Sequence, residues 1–375
     1  MKHITAYRDA DAIHRVVARL HPLADSLAQS LGRPLQIMEV CGGHTHTLLR
    51  YGLPQLLPAS LEFVHGPGCP VCVLPRAVID QAVAIANRPE VIFTTYGDAL
   101  RVPGTQSSLQ AARAGGADVR VLYSAQDALA LAQQQPQKQI VFFAIGFETT
   151  MPATALTILQ AERLGLSNFS VLAHHITIMP TLNALLARDD VSVDGFIGPG
   201  HVSAIIGSAA YQRIADHFHK PLVISGFEPL DMMQSLLMLL TQLQESRCEI
   251  ENQYRRVVKQ QGNQAALQAI NTVFALHQGD ALWRGLGEIP ESAAPIAEAF
   301  ARFDAAQRFA QPLQDEGQDD IGFCDQVMIG KLKPAACPHF GMDCTPQQPL
   351  GALMVSSEGA CAACYRYQPV AVAIS

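Results

Sequence analysis

The order of apolar runs predicts an α/β fold, with two Rossmann-like parallel-sheet lobes followed by a helix-rich and Cys-rich segment. Three observations carry that prediction. Short β-branched apolar runs recur, helical patterns separate them, and cysteines crowd the two ends of the sequence. Leu35–Val40, Leu61–Val64, Val91–Thr95, Val119–Tyr123, Ile140–Ile145, Ser170–Ala173, Gly195–Ile197 and Leu222–Ser225 read as buried strands. Helical patterns at Arg8–Leu31, Arg76–Ala86, Ala125–Gln134 and Thr150–Leu164 lie among them. Such alternation covers a parallel sheet on both faces. Leu230–Glu245 and Gln264–Leu276 are the longest helices of the next stretch, and from about Asp315 periodicity gives way to Cys, Pro and Gly. Chain order divides this into residues 1–60, packing with the C-terminal part, an α/β lobe over 61–150, a second over 151–245, and a helical, Cys-rich part over 246–375. Val141–Glu148 and Leu222–Glu228 echo each other as strand, Gly-Phe-Glu, then helix.

Composition narrows the function. Hydrophobic residues make up 49% of the 375 and charged residues 16%, enough apolar material for a sizeable core. A net charge of −7 leaves no basic face for a nucleic-acid backbone. No apolar run approaches the roughly 18–20 residues of a membrane span. The start, Met1 to Asp9, has charge but no apolar h-region behind it, so a cytoplasmic location is expected.

Nine cysteines, an odd number without a secretory signal, argue for metal or redox chemistry over a disulfide scaffold. Glycine-rich turns at strand ends, Cys41–His46, Gly66–Cys72, Tyr96–Asp98, Gly146–Thr150, Gly198–His201 and Gly226–Glu228, are where open α/β folds bind ligands. No phosphate loop or dinucleotide fingerprint appears. Cys69-Pro70-Val71-Cys72 has the spacing of a redox pair or of two ligands to one metal. Cys41 with His44 offers sulfur and nitrogen donors that suit iron, copper or zinc. Cys324, Cys337, Cys344, Cys361 and Cys364 lack the paired C-x2-C of a zinc ribbon. Their separation suits an iron–sulfur cluster, with zinc or structural thiols as the alternatives.

Met38-Glu39-Val40-Cys41-Gly42-Gly43-His44-Thr45-His46, Gly66-Pro67-Gly68-Cys69-Pro70-Val71-Cys72, Gly146-Phe147-Glu148-Thr149-Thr150, Pro199-Gly200-His201-Val202-Ser203 and Ser356-Ser357-Glu358-Gly359-Ala360-Cys361 resemble the signature motifs of the HypD family of hydrogenase maturation proteins. The resemblance runs from about residue 7 to residue 367. It implies a role in building the Fe(CN)2CO unit of [NiFe] hydrogenases with a HypC-type small chaperone, cyanide coming from a HypE-type donor and the hydrogenase large subunit served indirectly. It implies Cys41 as ligand of the iron in transit, opposite the chaperone's N-terminal cysteine. It also implies Cys69 and Cys72 as further iron contacts or a redox pair, and Cys324, Cys337, Cys344 and Cys361 as ligands of a [4Fe-4S] cluster. Cys364 lies outside that ligand pattern, and Cys248 matches no motif.

The chemistry agrees with the residues. Cyanide and carbonyl favour low-valent iron, which calls for soft thiolates and a source of electrons. A cluster delivers electrons singly and a dithiol stores two. His44 is expected either to fix or protonate a bound ligand or to cap a helix and serve structure, and Glu358 either to relay protons or to hold its loop by hydrogen bonds. Glu148 and Glu228 read as acids at helix N-termini. The expected molecule is a redox-active assembly scaffold. A cluster-driven dithiol–disulfide reductase and a zinc-binding interaction module are the competing readings.

Overall fold

The computed structural model describes residues 5–313 and 323–368. Asp9 caps the first helix, Ala10–Leu31, by accepting the Ala12 amide at 2.8 Å, and left-handed Gly32 ends it. Ile13, Val17, Leu20 and Ala24 recur at helical spacing, are buried, and turn that face onto the helix Pro229–Gln244.

Nine strands form two parallel sheets. The first contains β1 (Leu35–Glu39), β2 (Leu61–His65), β7 (Gly195–Gly198), β8 (Leu222–Ile224) and β9 (Ile250–Asn252), in the spatial order β2-β1-β7-β8-β9. The second contains β3 (Val91–Thr95), β4 (Val119–Val121), β5 (Gln139–Gly146) and β6 (Phe169–His175), in the order β4-β3-β5-β6. All pairs within both sheets are parallel, for instance Leu35 beside Leu61 and Gly146 beside His175. A short antiparallel hairpin, β10 (Ala281–Trp283) and β11 (Gly287–Ile289), follows. Buried Trp283 anchors it, its Nε1 donating to Ser292 Oγ at 3.0 Å.

The α/β class and the parallel sheets match the sequence reading, and each of its eight strand runs falls on a strand. The sheets, however, cut across the segments expected from chain order. Residues 61–150 hold β2 of the first sheet and three strands of the second; 151–245 hold β6 of the second and two strands of the first. Chain order carries no information about which runs pair. β1 has two edges, β2 takes one, and the Gly195-Phe196-Ile197 run returns to satisfy the other.

The elements missed are short or disguised. β9 is polar at Glu251 and Asn252, the hairpin strands have three residues each, and Gly42 and Gly43 mask the helix Gly42–Arg50. The C-terminal part consists of turns, short helical turns and the helices Cys324–Met328 and Ala360–Tyr367. The onset of irregularity near Asp315 and the first residues, 1–4, lie outside the described residues. Among the described residues no helix is long and apolar enough to cross a membrane.

Candidate functional site

In the first sheet the chain runs to opposite sides from the neighbouring strands β1 and β7. A crevice opens beyond the carboxyl ends of such a pair. Cys41 follows β1 there, and His201 follows β7. The Cys41 sulfur lies 3.9 Å from His201 Nδ1. Cys41 is also the N-cap of the helix Gly42–Arg50. Burial, then the nearby Glu358 carboxyl, pushes its thiol up to about 12, so without a cation it stays protonated.

Glu39, fully buried at the end of β1, organises this corner. Its carboxylate accepts the Cys41 amide at 3.0 Å, His65 Nδ1 at 2.7 Å and the Thr45 hydroxyl. A buried carboxylate needs such donors. The backbone of Gly68 lies so close to Cys41 that no Cβ would fit between them, which brings the Gly66–Cys72 loop against the first motif. Cys69 and Cys72 are joined by a disulfide and buried. They line a small cleft with Gly42, Thr45, His65 and Glu358. Glu358 is half-buried, and that burial, followed by the repulsion of Asp98 and Glu39, raises its pKa.

The histidines of the first motif turn elsewhere. His44 is fully buried, with Nε2 3.1 Å from the Ser225 carbonyl and its ring stacked on Phe227 at 4.6 Å. Desolvation lowers its pKa to about 4, keeping it neutral. His46 reaches the C-terminal part, contacting the Ser357 carbonyl and the Tyr367 hydroxyl at 3.4 Å each. The imidazole at the Cys41 sulfur is therefore His201. The two Gly-Phe-Glu motifs sit at strand ends in different sheets and do different work. Glu228 is the N-cap of Pro229–Gln244, forms a capping box with Asp231 and pairs with Arg8. Glu148 is buried and accepts the Ile178 amide at 3.1 Å, and burial raises its pKa to about 7.

Cys324, Cys337, Cys344 and Cys361 line one small apolar pocket with Phe323, Phe340, Leu350 and Met354. Turns place them. The Phe340 amide donates to the Cys337 carbonyl at 3.0 Å, and the Cys344 amide to the His339 carbonyl at 2.9 Å. The Leu350 amide points at the Cys344 sulfur at 3.4 Å. Burial, then the neighbouring thiols, holds Cys361 well above its ordinary value. Cys364, one turn on, faces a different groove with Leu49, Val64 and Val327. Cys248 lies apart, its thiol donating to the His219 carbonyl at 3.1 Å.

Comparison with known proteins was made against this geometry. The family described as "HypD: Hydrogenase formation hypA family" matches residues 12–368. The chain belongs to the HypD family. The Hydrogenase maturation factor HypD of Escherichia coli (strain K12) is 51% identical over 368 residues, covering 98% of each chain. That of Rhodobacter capsulatus is 50% identical over 372 residues, again covering 98% of each. The Hydrogenase expression/formation protein HupD of Azotobacter chroococcum mcd 1 is 50% identical over 373 residues, 98% of this chain and 97% of its own.

With the HypD motifs mapped, two groups of cysteines stand out: Cys41, Cys69 and Cys72 around Glu358, and the four thiols of the C-terminal pocket. The helices Gly42–Arg50 and Ala360–Tyr367 pack together and join the two. Sequence reasoning missed Glu39, His65 and Phe227. Glu39 had a signal, since a lone carboxylate amid Ile37, Met38 and Val40 in a buried strand requires internal donors.

Proposed function

We propose that this protein is a hydrogenase maturation factor: a scaffold and redox partner on which the Fe(CN)2CO unit is assembled, with a HypC-type chaperone and cyanide from a HypE-type donor. The observation that carries this reading is that the Cys69–Cys72 disulfide and Glu358 line one cleft with Gly42, the residue after Cys41, while the Gly68 backbone lies against Cys41. Cys41 offers one soft donor to the iron in transit. The remaining ligands come from the partner and from the diatomic groups. Opening the Cys69–Cys72 disulfide takes two electrons and two protons. Glu358 lies in the same cleft, and burial raises its pKa, which suits a group that passes protons to that step.

The C-terminal pocket suits a [4Fe-4S] cluster held by Cys324, Cys337, Cys344 and Cys361. One zinc ion needs four donors within about 2.0–2.3 Å of a single point. A cubane spreads its ligands over four corners, which suits four thiols brought to one pocket by separate turns. The apolar walls and mutual repulsion that keep Cys361 protonated are offset when positive iron enters. The Leu350 amide, aimed at the Cys344 sulfur, is the kind of donor that tunes such a cluster. Bound there, the cluster supplies electrons one at a time. A cytoplasmic location follows from this role.

The test is anaerobic co-purification with the small chaperone. Infrared bands of iron-bound cyanide and carbonyl are expected in the parent and absent in Cys41→Ala and Cys69→Ala, with cluster iron retained in both. Bands that persist in Cys41→Ala would overturn the assignment.

A further inference from the structure

Phe227 is unused by the reading above, yet its ring meets both His201 and His44 beside the Cys41 corner. His201 stacks on its ring at 3.8 Å with an interplanar angle of 21°, and His44 stacks on it at 4.6 Å and 27°. Tyr254 meets it edge-on at 6.0 Å. The ring also lies against Gly43, two residues after Cys41, and Gly200, next to His201. A Cβ at Gly43 would come within 2.8 Å of Phe227 Cε1, and one at Gly200 within 2.9 Å of Cε2. Two glycines from two strand ends are thus matched to one aromatic ring from a third. The Phe227 backbone is fixed as well, since its carbonyl accepts the Thr47 hydroxyl at 2.8 Å. Glu228 beside it is tied to Arg8 and caps the next helix.

We propose that Phe227 is a positioning residue for Cys41: its ring holds the His201 imidazole against the Cys41 sulfur and His44 behind it, so that thiol reactivity at the crevice depends on this stack. His201 is exposed, and its Nδ1 lies 3.9 Å from the Cys41 sulfur. A stacked ring loses its rotational freedom, and aromatic stacking is favourable beyond the area it buries. Without Phe227 the imidazole has no such constraint. The proposal rests on Cys41 being the reactive thiol of the site, and it concerns the bare protein before iron arrives.

The experiment is alkylation of Cys41 by iodoacetamide at fixed pH, followed by peptide mass spectrometry on the full chain, with Cys248 as internal reference. Phe227→Leu and His201→Ala are each expected to change the Cys41 rate at least about threefold and in the same direction. The double variant is expected to match the single ones, because both remove one interaction. Phe227→Tyr, which keeps the stack, restores the parent rate. Additive effects of Phe227→Leu and His201→Ala, or a parent-like rate in His201→Ala, would overturn the proposal. So would a Phe227→Leu effect that Phe227→Tyr does not rescue. An unfolded variant is recognised by a matching rise at Cys248 and by lost helical circular dichroism. Failure of the function reading shows separately, as infrared bands that survive Cys41→Ala.

Discussion

Cys41 stands at the end of a parallel sheet, its amide bonded to a buried carboxylate and its loop pressed against a second motif. The four C-terminal thiols stand on turns and short helices around an apolar pocket. The first corner is held by the ladders of β1, β2 and β7, so its geometry exists before any ligand binds. Among the described residues the second has no strand ladder of its own, and it gathers four thiols around one apolar pocket. Under the function proposed above, the contrast separates metal carried as cargo from metal that serves as structure. A pre-built corner can release what it holds, whereas a pocket of thiols on turns gains its order from the group it binds.

The largest expected effect separates the two regions. Cys337→Ala, or iron removal by chelation, is expected to lower amide-exchange protection over 323–368 by at least about tenfold while β1 and β2 stay protected. Cys41→Ala is expected to leave both regions protected. Equal loss in both variants would erase the distinction.

Glu39 tests how far the first corner is built in advance. Glu39→Gln replaces one of the two carboxylate oxygens with an NH2 donor; Thr45 and His65 share Oε1 and the Cys41 amide binds Oε2, so at least one of these donors loses its acceptor. A loss of about 1–3 kcal/mol is expected from denaturant unfolding. A neutral result would mean that the strands alone place Cys41.

Glu148 gives a smaller, pH-dependent effect. Burial raises its folded pKa to about 7 from an ordinary 4.5, so the folded state binds more protons than the unfolded one between those values. Its contribution is full below about 4.5 and is lost as pH rises through about 7. His44, His174 and His175, lowered to about 4, 4 and 3 by burial, act in the opposite sense and lose stability as pH falls. The parent minus Glu148→Gln difference isolates the carboxyl. It is expected to shrink from pH 4.5 to 7 in urea titrations, and a flat difference would place the Glu148 proton elsewhere.

The smallest effect is at the Arg8–Glu228 pair, half-exposed on the arginine side. Arg8→Ala is expected to cost under about 1 kcal/mol in thermal unfolding. A larger loss would show that the N-terminal segment supports the Phe227 corner.

The strands and long helices were legible because buried parallel strands are continuous apolar runs and the helices show their own periodicity. Arg76–Ala86 and Val91–Thr95 agree with the structure at both ends. Sheet membership was not legible, since pairing β1 with β7 joins residues far apart in the chain. The cysteines were legible as residue types at unusual spacing. Their partners were hidden. His44 and His201 both follow a glycine turn, and which of them meets Cys41 depends on the neighbouring strand's register and on Phe227 between them. Gly226-Phe227-Glu228 read as an echo of Gly146-Phe147-Glu148, but like motifs on different sheets face different neighbours.

The most direct measurement is the iron, sulfide and zinc content of protein purified without oxygen, read with its visible spectrum for the parent, Cys41→Ala and Cys324→Ala. A metal that orders the C-terminal thiols while Cys41 holds only cargo predicts about four iron and four sulfide per chain and a broad absorption near ~400 nm. Both are expected to be retained in Cys41→Ala and lost in Cys324→Ala. Colourless protein carrying zinc, or a cluster that survives Cys324→Ala, would contradict it.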